Sequence, residues 1–139
     1  MKTKIFLNLA VKDLNKAVSF YNELGFPTNR QFTNEKGACI VIDENIFVML
    51  LVEEFYKTFT KKELCDPKKS SEALVAISVD TREQVDEMME KAVKAGGTDY
   101  LQSQDYGWMY QKTFLDVDGH HWEVFHMDES QIPDNPNEM

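Results

Sequence analysis

The residues best suited to chemistry lie in the stretch 114–126, which contains all three histidines of the chain. The pattern predicts a strand, a tight acidic turn and a returning strand with Glu123 in its interior. One face of that strand would carry His121, Glu123, Phe125 and Met127. A carboxylate among apolar residues is costly unless it serves a function. Glu123 is therefore the predicted catalytic residue, suited to act as a proton-transfer base.

Other interpretations of the same strand remain open. His121 and Glu123 would lie about 7 Å apart along it, so a metal ion could bridge them. Such a site has two protein ligands and would need water or another chain to complete it. Alternatively, the two side chains form a partly exposed polar pair, with Glu123 hydrogen-bonded to Asn8 or a tyrosine and chemically idle.

The composition is that of a soluble globular protein, with 42% hydrophobic and 28% charged residues over 139 positions. The length provides for one domain, or for two small modules that share a core. The net charge of −9 opposes nucleic acid and anionic membrane surfaces, and is compatible with a cationic ligand. No apolar run reaches the roughly 20 residues of a membrane span. Two cysteines, Cys39 and Cys65, and no recognisable signal peptide predict a cytoplasmic protein with reduced thiols.

The chain consists of two similar halves, which are predicted to position the candidate site residues. In the first, residues 5–11 alternate as a strand, Asp13 caps a helix, and Gly25 with Pro27 ends it before three strand-like runs. In the second, a strand precedes a helix that the capping box of Thr81 and Gln84 opens and Gly96-Gly97 ends, and further strands follow. The predicted units are a first βαβββ module (1–52), a connector (53–72), a second βαβββ module (73–127) and a loosely held acidic tail (128–139). Together they predict one globular α+β domain, with a curved mixed sheet around a cup.

The sheet faces that point away from the helices are the predicted ligand surface. They would carry Phe6, Asn8, Met49, Leu74, His121, Glu123 and Phe125. Tyr106, Trp108 and Tyr110 follow in a glycine-containing loop and could either line the mouth of the cup or pack as core. The connector lysines at 61, 62, 68 and 69 are interpreted as solvated charge, with a ligand-gating patch as the alternative, and Cys65 as an exposed bystander.

These motifs resemble the vicinal oxygen chelate superfamily, which groups glyoxalase I, bleomycin resistance proteins and extradiol dioxygenases. The resemblance rests on FLNLAVKDL (6–14), FYNELGF (20–26), AISVD (76–80), AGG (95–97) and DVDGHHWE (116–123). They recur in the order that the paired modules of that family require. IFVMLL (46–51) and QDYGWMY (104–110) are similar to a bacterial branch described as predicted lactoylglutathione lyase.

The resemblance implies a homodimer and, in metal-dependent members, one metal ligand on each of four central strands. Carried over to this sequence, those positions are Phe6, Met49, Leu74 and Glu123. Phenylalanine and leucine offer no lone pair, and a thioether suits soft metals only. We therefore expect no cofactor, with a divalent metal at Glu123 and His121 as the alternative.

Two hypotheses follow for the function. In the first, the protein binds or sequesters a small organic molecule in an apolar cup without metal, with Glu123 and Asn8 as polar contacts. In the second, it is a lyase or isomerase of the lactoylglutathione lyase type, with Glu123 as base beside an unconventional metal site. The expected partners are a small-molecule ligand and a second copy of the chain, with no nucleic acid and no membrane.

Overall fold

The computed structural model describes residues 2–135 and residue 137. The first half contains β1 (Ile5–Val11), α1 (Leu14–Glu23), β2 (Thr28–Asn29), β3 (Gly37–Asp43) and β4 (Ile46–Val52). A short helix, α2 (Glu53–Tyr56), opens the connector. The second half contains β5 (Leu74–Ser78), α3 (Arg82–Lys94), β6 (Thr98–Asp105), β7 (Met109–Leu115) and β8 (His121–Met127).

Each half forms a four-stranded mixed sheet with the same topology. The strand orders are β1-β4-β3-β2 and β5-β8-β7-β6, and in each sheet the first pair is parallel while the other two are antiparallel. The predicted fold class, α+β with two βαβββ modules, is confirmed.

The two long helices begin and end where the sequence predicts. The Asp13 side chain accepts the Lys16 backbone N–H at 3.1 Å, and Thr81 with Gln84 forms a complete capping box. Gly25 and Gly96, directly after the two C-caps, both have φ of +104°, a left-handed conformation that only glycine adopts without strain. Local signals therefore fix both helices.

One hydrophobic core joins the two modules. The rings of Phe20 and Tyr21 on α1 contact the second sheet, with centroids 6.1 Å from Phe114 and 5.6 Å from Trp122 respectively. All four rings are almost completely buried. The core therefore occupies the helix-covered faces of both sheets and leaves their opposite faces open.

The remaining elements are short. β2 covers two residues and continues as a 3-10 turn at Arg30–Phe32. In the acidic tail, Glu129–Gln131 forms a 3-10 turn, and the Asp128 backbone N–H donates to the Trp108 carbonyl at 2.7 Å. Met1, at the start of the first predicted module, and residues 136, 138 and 139 of the tail lie outside the described residues. In the described part of the chain, no helix is both long and apolar enough to cross a membrane.

Candidate functional site

A cleft of about 470 Å³ lies where the two modules and the connector meet. We call it the intermodule cleft. Residues 7–10 of β1 form one wall and the connector, mainly residues 64–73, forms another. The second module contributes Val75, Tyr100, Leu115, Gly119, His120 and His121. The volume suits a small organic molecule.

The turn between β7 and β8 holds the first module against the second. The buried carboxylate of Asp116 accepts hydrogen bonds from the Tyr21 hydroxyl and from the backbone N–H of Asp118 and His120, the last two at 3.0 and 2.9 Å. The Lys12 backbone N–H donates to Asp118 at 3.0 Å. This turn, singled out in the sequence for its acids, therefore positions the adjacent cleft wall.

The ring of His120 adds a bond across the cleft floor. Its Nε2 lies 2.7 Å from the Ala10 carbonyl oxygen, so this nitrogen carries the proton that is donated. Burial raises the pKa of the Asp118 carboxyl, while the Lys12 N–H opposes that shift. The polar groups of the turn are thus engaged in joining the modules.

Tyr21 is expected to make stability fall at alkaline pH. Burial, reinforced by Asp116, raises the pKa of its hydroxyl well above the ordinary 10.0 of tyrosine. Above pH 10 the unfolded chain loses this proton while the folded protein keeps it. The free energy of unfolding should therefore fall by up to about 1.4 kcal/mol per pH unit from this group. In urea titrations from pH 9 to 11, the difference between wild type and Tyr21→Phe should shrink; a constant difference would contradict the assignment.

Two of the predicted ligand residues, Asn8 and His121, line the cleft. His121 Nε2 lies 3.2 Å from a carboxylate oxygen of Glu123, and these side chains are only 13% and 20% exposed. The ring of Tyr100 stands edge-on to His121, with centroids 5.8 Å apart. Glu123 thus lies directly behind the cleft wall, in contact with a side chain that faces the cleft.

The other predicted ligand residues of the sheets lie on the open faces, as their register requires. Phe6 pairs with Phe47 and stacks on it, with ring centroids 4.8 Å apart, while Met49 is the partner of Asn8. Phe125 pairs with Ser78. Leu74 and Phe6 are 59% and 48% exposed, so within one chain they do not enclose Glu123.

The four positions that the resemblance assigns to metal ligands do not form a donor set for a divalent ion. Phe6 and Leu74 have no lone pair to offer, and Met49 offers only a soft sulfur. Among the described residues there is no group of three or more histidine, cysteine, aspartate or glutamate side chains placed to hold a metal. The residues present therefore do not fit the family's metal.

The predicted aromatic residues lie away from the cleft. Tyr110 lies against α3, where its hydroxyl donates to Asp86 at 2.7 Å and the Arg82 guanidinium lies 4.2 Å from its ring centroid. Its hydrogen bond to Asp86 raises the pKa of the Tyr110 hydroxyl. Tyr106 and Trp108 stack on each other, with centroids 6.4 Å apart, and Tyr106 is about half exposed.

The connector is the part of the cleft that sequence reasoning missed. Lys68, Lys69 and Cys65 all line the cleft, although the sequence favoured solvated charge over a ligand-gating patch and indicated a bystander thiol. A Cβ added to Gly119 would lie 3.0 Å from Lys68 Cγ and 3.2 Å from its backbone nitrogen, so the connector packs directly on the β7–β8 turn. The available signal was a cluster of lysines in a chain with net charge −9.

Comparison with known proteins gives one family. The sequence model of the Glyoxalase/Bleomycin resistance protein/Dioxygenase superfamily matches residues 5–124. A comparison with curated proteins finds no match.

Several solved structures share the fold. A hypothetical protein from S. aureus is 29% identical, with a TM-score of 0.77 and coverage of 91% of this chain and 94% of that one. A glyoxalase-related enzyme from Fulvimarina pelagi is 20% identical, with a TM-score of 0.76 and coverage of 91% and 88%. A genomically encoded fosfomycin resistance protein from Listeria monocytogenes is 19% identical, with a TM-score of 0.66 and coverage of 91% and 93%.

Proposed function

The chain belongs to the Glyoxalase/Bleomycin resistance protein/Dioxygenase superfamily, and from this premise we propose that it binds a small organic molecule in the intermodule cleft. The observation that carries the proposal is the cleft itself, with a volume of about 470 Å³ and walls contributed by both modules and the connector. Its lining combines apolar side chains with polar ones, among them Asn8 and His121, and such mixed linings occur in ligand sites.

The proposed binding needs no metal. Three of the four positions that the family uses for metal ligands carry Phe6, Met49 and Leu74, which cannot hold a hard divalent ion. Glu123 keeps a carboxylate, but its close partner is His121. In this proposal Glu123 orients His121 toward the ligand, and the protein sequesters its ligand rather than converting it.

We further propose that the protein forms a homodimer, in which a second copy covers the open sheet faces. Support comes from the exposure of large apolar side chains on those faces, namely Phe6 at 48% and Leu74 at 59%.

Both thiols are free, Cys39 buried and Cys65 exposed, which supports action in a reducing compartment such as the cytoplasm.

A ligand-induced rise in melting temperature tests the binding proposal. A screen of small organic molecules should yield compounds that stabilise the wild-type chain, by about 2.7 kcal/mol at 100 times Kd. Ser71→Trp places a large ring in the cleft wall and should abolish that stabilisation, because Ser71 lines the cleft. Ser19→Trp, on the exposed face of α1, is the matched control and should retain it. Equal stabilisation of both variants would place the ligand elsewhere.

The contact between His121 and Glu123 favours one alternative, a lyase or isomerase in which Glu123 accepts a proton from the substrate. Thermal shifts with Ni, Zn, Mn and Fe, run beside a methylglyoxal and glutathione assay, separate the two functions. Metal stabilisation that is lost in both Glu123→Ala and His121→Ala, together with turnover, would establish the enzyme and refute metal-free sequestration.

A further inference from the structure

From the charges of the intermodule cleft, and resting on the proposed function, we infer that its ligand is an organic anion with an apolar body. An anionic ligand differs from the cationic one that is expected from the net charge of −9 of the whole chain. A bound molecule experiences mainly the charges of the groups nearest to it. The charge balance of the groups around the cleft differs from that of the protein surface as a whole.

The charged side chains at the cleft are mainly positive. Lys68 and Lys69 both line it, and Glu72 is the one carboxylate among the described residues that do so. Neither lysine has a carboxylate within ion-pair distance among the described residues. Their charges are therefore available to a bound anion.

The two histidines of the cleft do not change this balance. His120 is engaged with the Ala10 carbonyl through Nε2. His121 Nε2 lies 3.2 Å from a carboxylate oxygen of Glu123, so this ring is engaged with a carboxylate of its own strand. Within the cleft lining, the two lysine charges outnumber the one carboxylate, that of Glu72.

The lysines project from a fixed segment. The Asp66 side chain accepts the Lys68 N–H at 3.1 Å, and the Asp66 carbonyl accepts the Lys69 and Ser70 N–H groups, both at 2.9 Å. The same segment packs on Gly119, as the 3.0 Å approach of a Cβ there to Lys68 Cγ shows. A backbone held at two points keeps both lysine residues beside the cleft, which lowers the entropic cost of ligand binding.

The remaining walls of the cleft are largely apolar, so a matching ligand has an apolar body. Leu7, Leu9, Val75, Leu115, Tyr56 and Tyr100 line the cleft. Burying apolar ligand surface against them favours binding. An inorganic anion would leave this surface unused, so the matching ligand carries its charge at one end and an apolar group at the other.

Three probes with the same apolar body test the charge preference: 4-phenylbutyrate, its neutral amide and 4-phenylbutylamine. Affinity for the full-length chain is measured by calorimetry at low salt. Occupancy of the cleft is measured by protection of Cys65 from alkylation, since Cys65 lines the cleft and is exposed whereas Cys39 is fully buried. The carboxylate should bind about tenfold more tightly than the amide and the amine, as expected for charge-assisted contacts.

Matched variants assign the preference to the lysine pair. In Lys68→Gln/Lys69→Gln the preference for the carboxylate should fall below about threefold. Lys61→Gln/Lys62→Gln removes the same charge from the same connector, outside the cleft lining, and should keep the full preference. Lys68→Arg/Lys69→Arg should also keep it, which shows that loss in the glutamine variant is not a folding defect.

The outcomes separate the inference from the proposed function. If the amide or the amine protects Cys65 as well as the carboxylate does, small-molecule binding stands and the anion inference is overturned. A preference that survives in Lys68→Gln/Lys69→Gln also overturns it. If none of the three probes slows alkylation, both the inference and the cleft-binding proposal fail.

Discussion

Trp122→Ala is expected to lower the free energy of unfolding by about 3–5 kcal/mol, the range for deleting a large buried aromatic ring. Trp122 is 1% exposed, its ring is stacked on Phe114 at an interplanar angle of 3°, and Tyr21 of the first module packs beside it. Because alanine leaves a cavity where α1 meets the second sheet, the loss should loosen both modules. Urea denaturation should show a lower midpoint with an unchanged slope.

Two variants make this result specific. Trp122→Phe keeps a ring in the same place and should cost clearly less than the alanine variant. Phe32→Ala removes a ring that is 61% exposed, and should change the free energy of unfolding by no more than about 0.5 kcal/mol. A loss below about 1 kcal/mol for Trp122→Ala would mean that Trp122 does not join the modules as described.

The fold could be predicted from the sequence because the sequence signals that determine it act between residues close together in the chain. Asp13, the Thr81–Gln84 capping box and the two helix-ending glycines each act within one helical turn, and each has its predicted role. Alternation along β1 and β8 fixed which side chains share a face, because the period of a strand is two. The register, with Asn8 beside Met49 and Ala76 beside Glu123, then agrees with the predicted faces.

The candidate site could be predicted only in part, because it depends on contacts between segments that are distant in sequence. Periodicity identifies the open face of a strand, but it does not say what covers that face. The connector has no strong periodicity, and its position is set by packing on Gly119, some fifty residues further along the chain. Hence Asn8 and His121 were predicted as ligand residues, whereas Lys68 and Lys69 were not.

The acidic turn is a second case in which the sequence predicts local structure but not a contact with a distant segment. Its sequence predicts a turn, and Gly119 has the expected positive φ, +102°. The sequence does not reveal that Asp116 accepts a hydrogen bond from the hydroxyl of Tyr21, which belongs to the other module. A local turn motif thus has a long-range role that only the assembled core defines.

Asp116→Ala is accordingly expected to destabilise the protein by about 3 kcal/mol or more. The carboxylate is 4% exposed and accepts three hydrogen bonds, so its loss leaves the Tyr21 hydroxyl and the N–H groups of Asp118 and His120 without their acceptor. The buried Tyr21 hydroxyl left unsatisfied costs about 1–3 kcal/mol, and the two part-buried N–H groups add to that loss. The turn that carries His120 and His121 should also lose its position, so the affinity of the cleft for 4-phenylbutyrate should fall in parallel.

A double-mutant cycle with Tyr21→Phe tests the link between the modules. Because Tyr21 and Asp116 share one hydrogen bond, the double variant should lose less stability than the sum of the single losses, by about 0.5–3 kcal/mol. Asp116→Asn keeps an acceptor oxygen and should lie between wild type and alanine, while Asp134→Ala, at an exposed site in the tail, should be neutral. Strict additivity in the cycle would show that the turn is held by its own backbone, and that Asp116 does not couple the first module to the cleft.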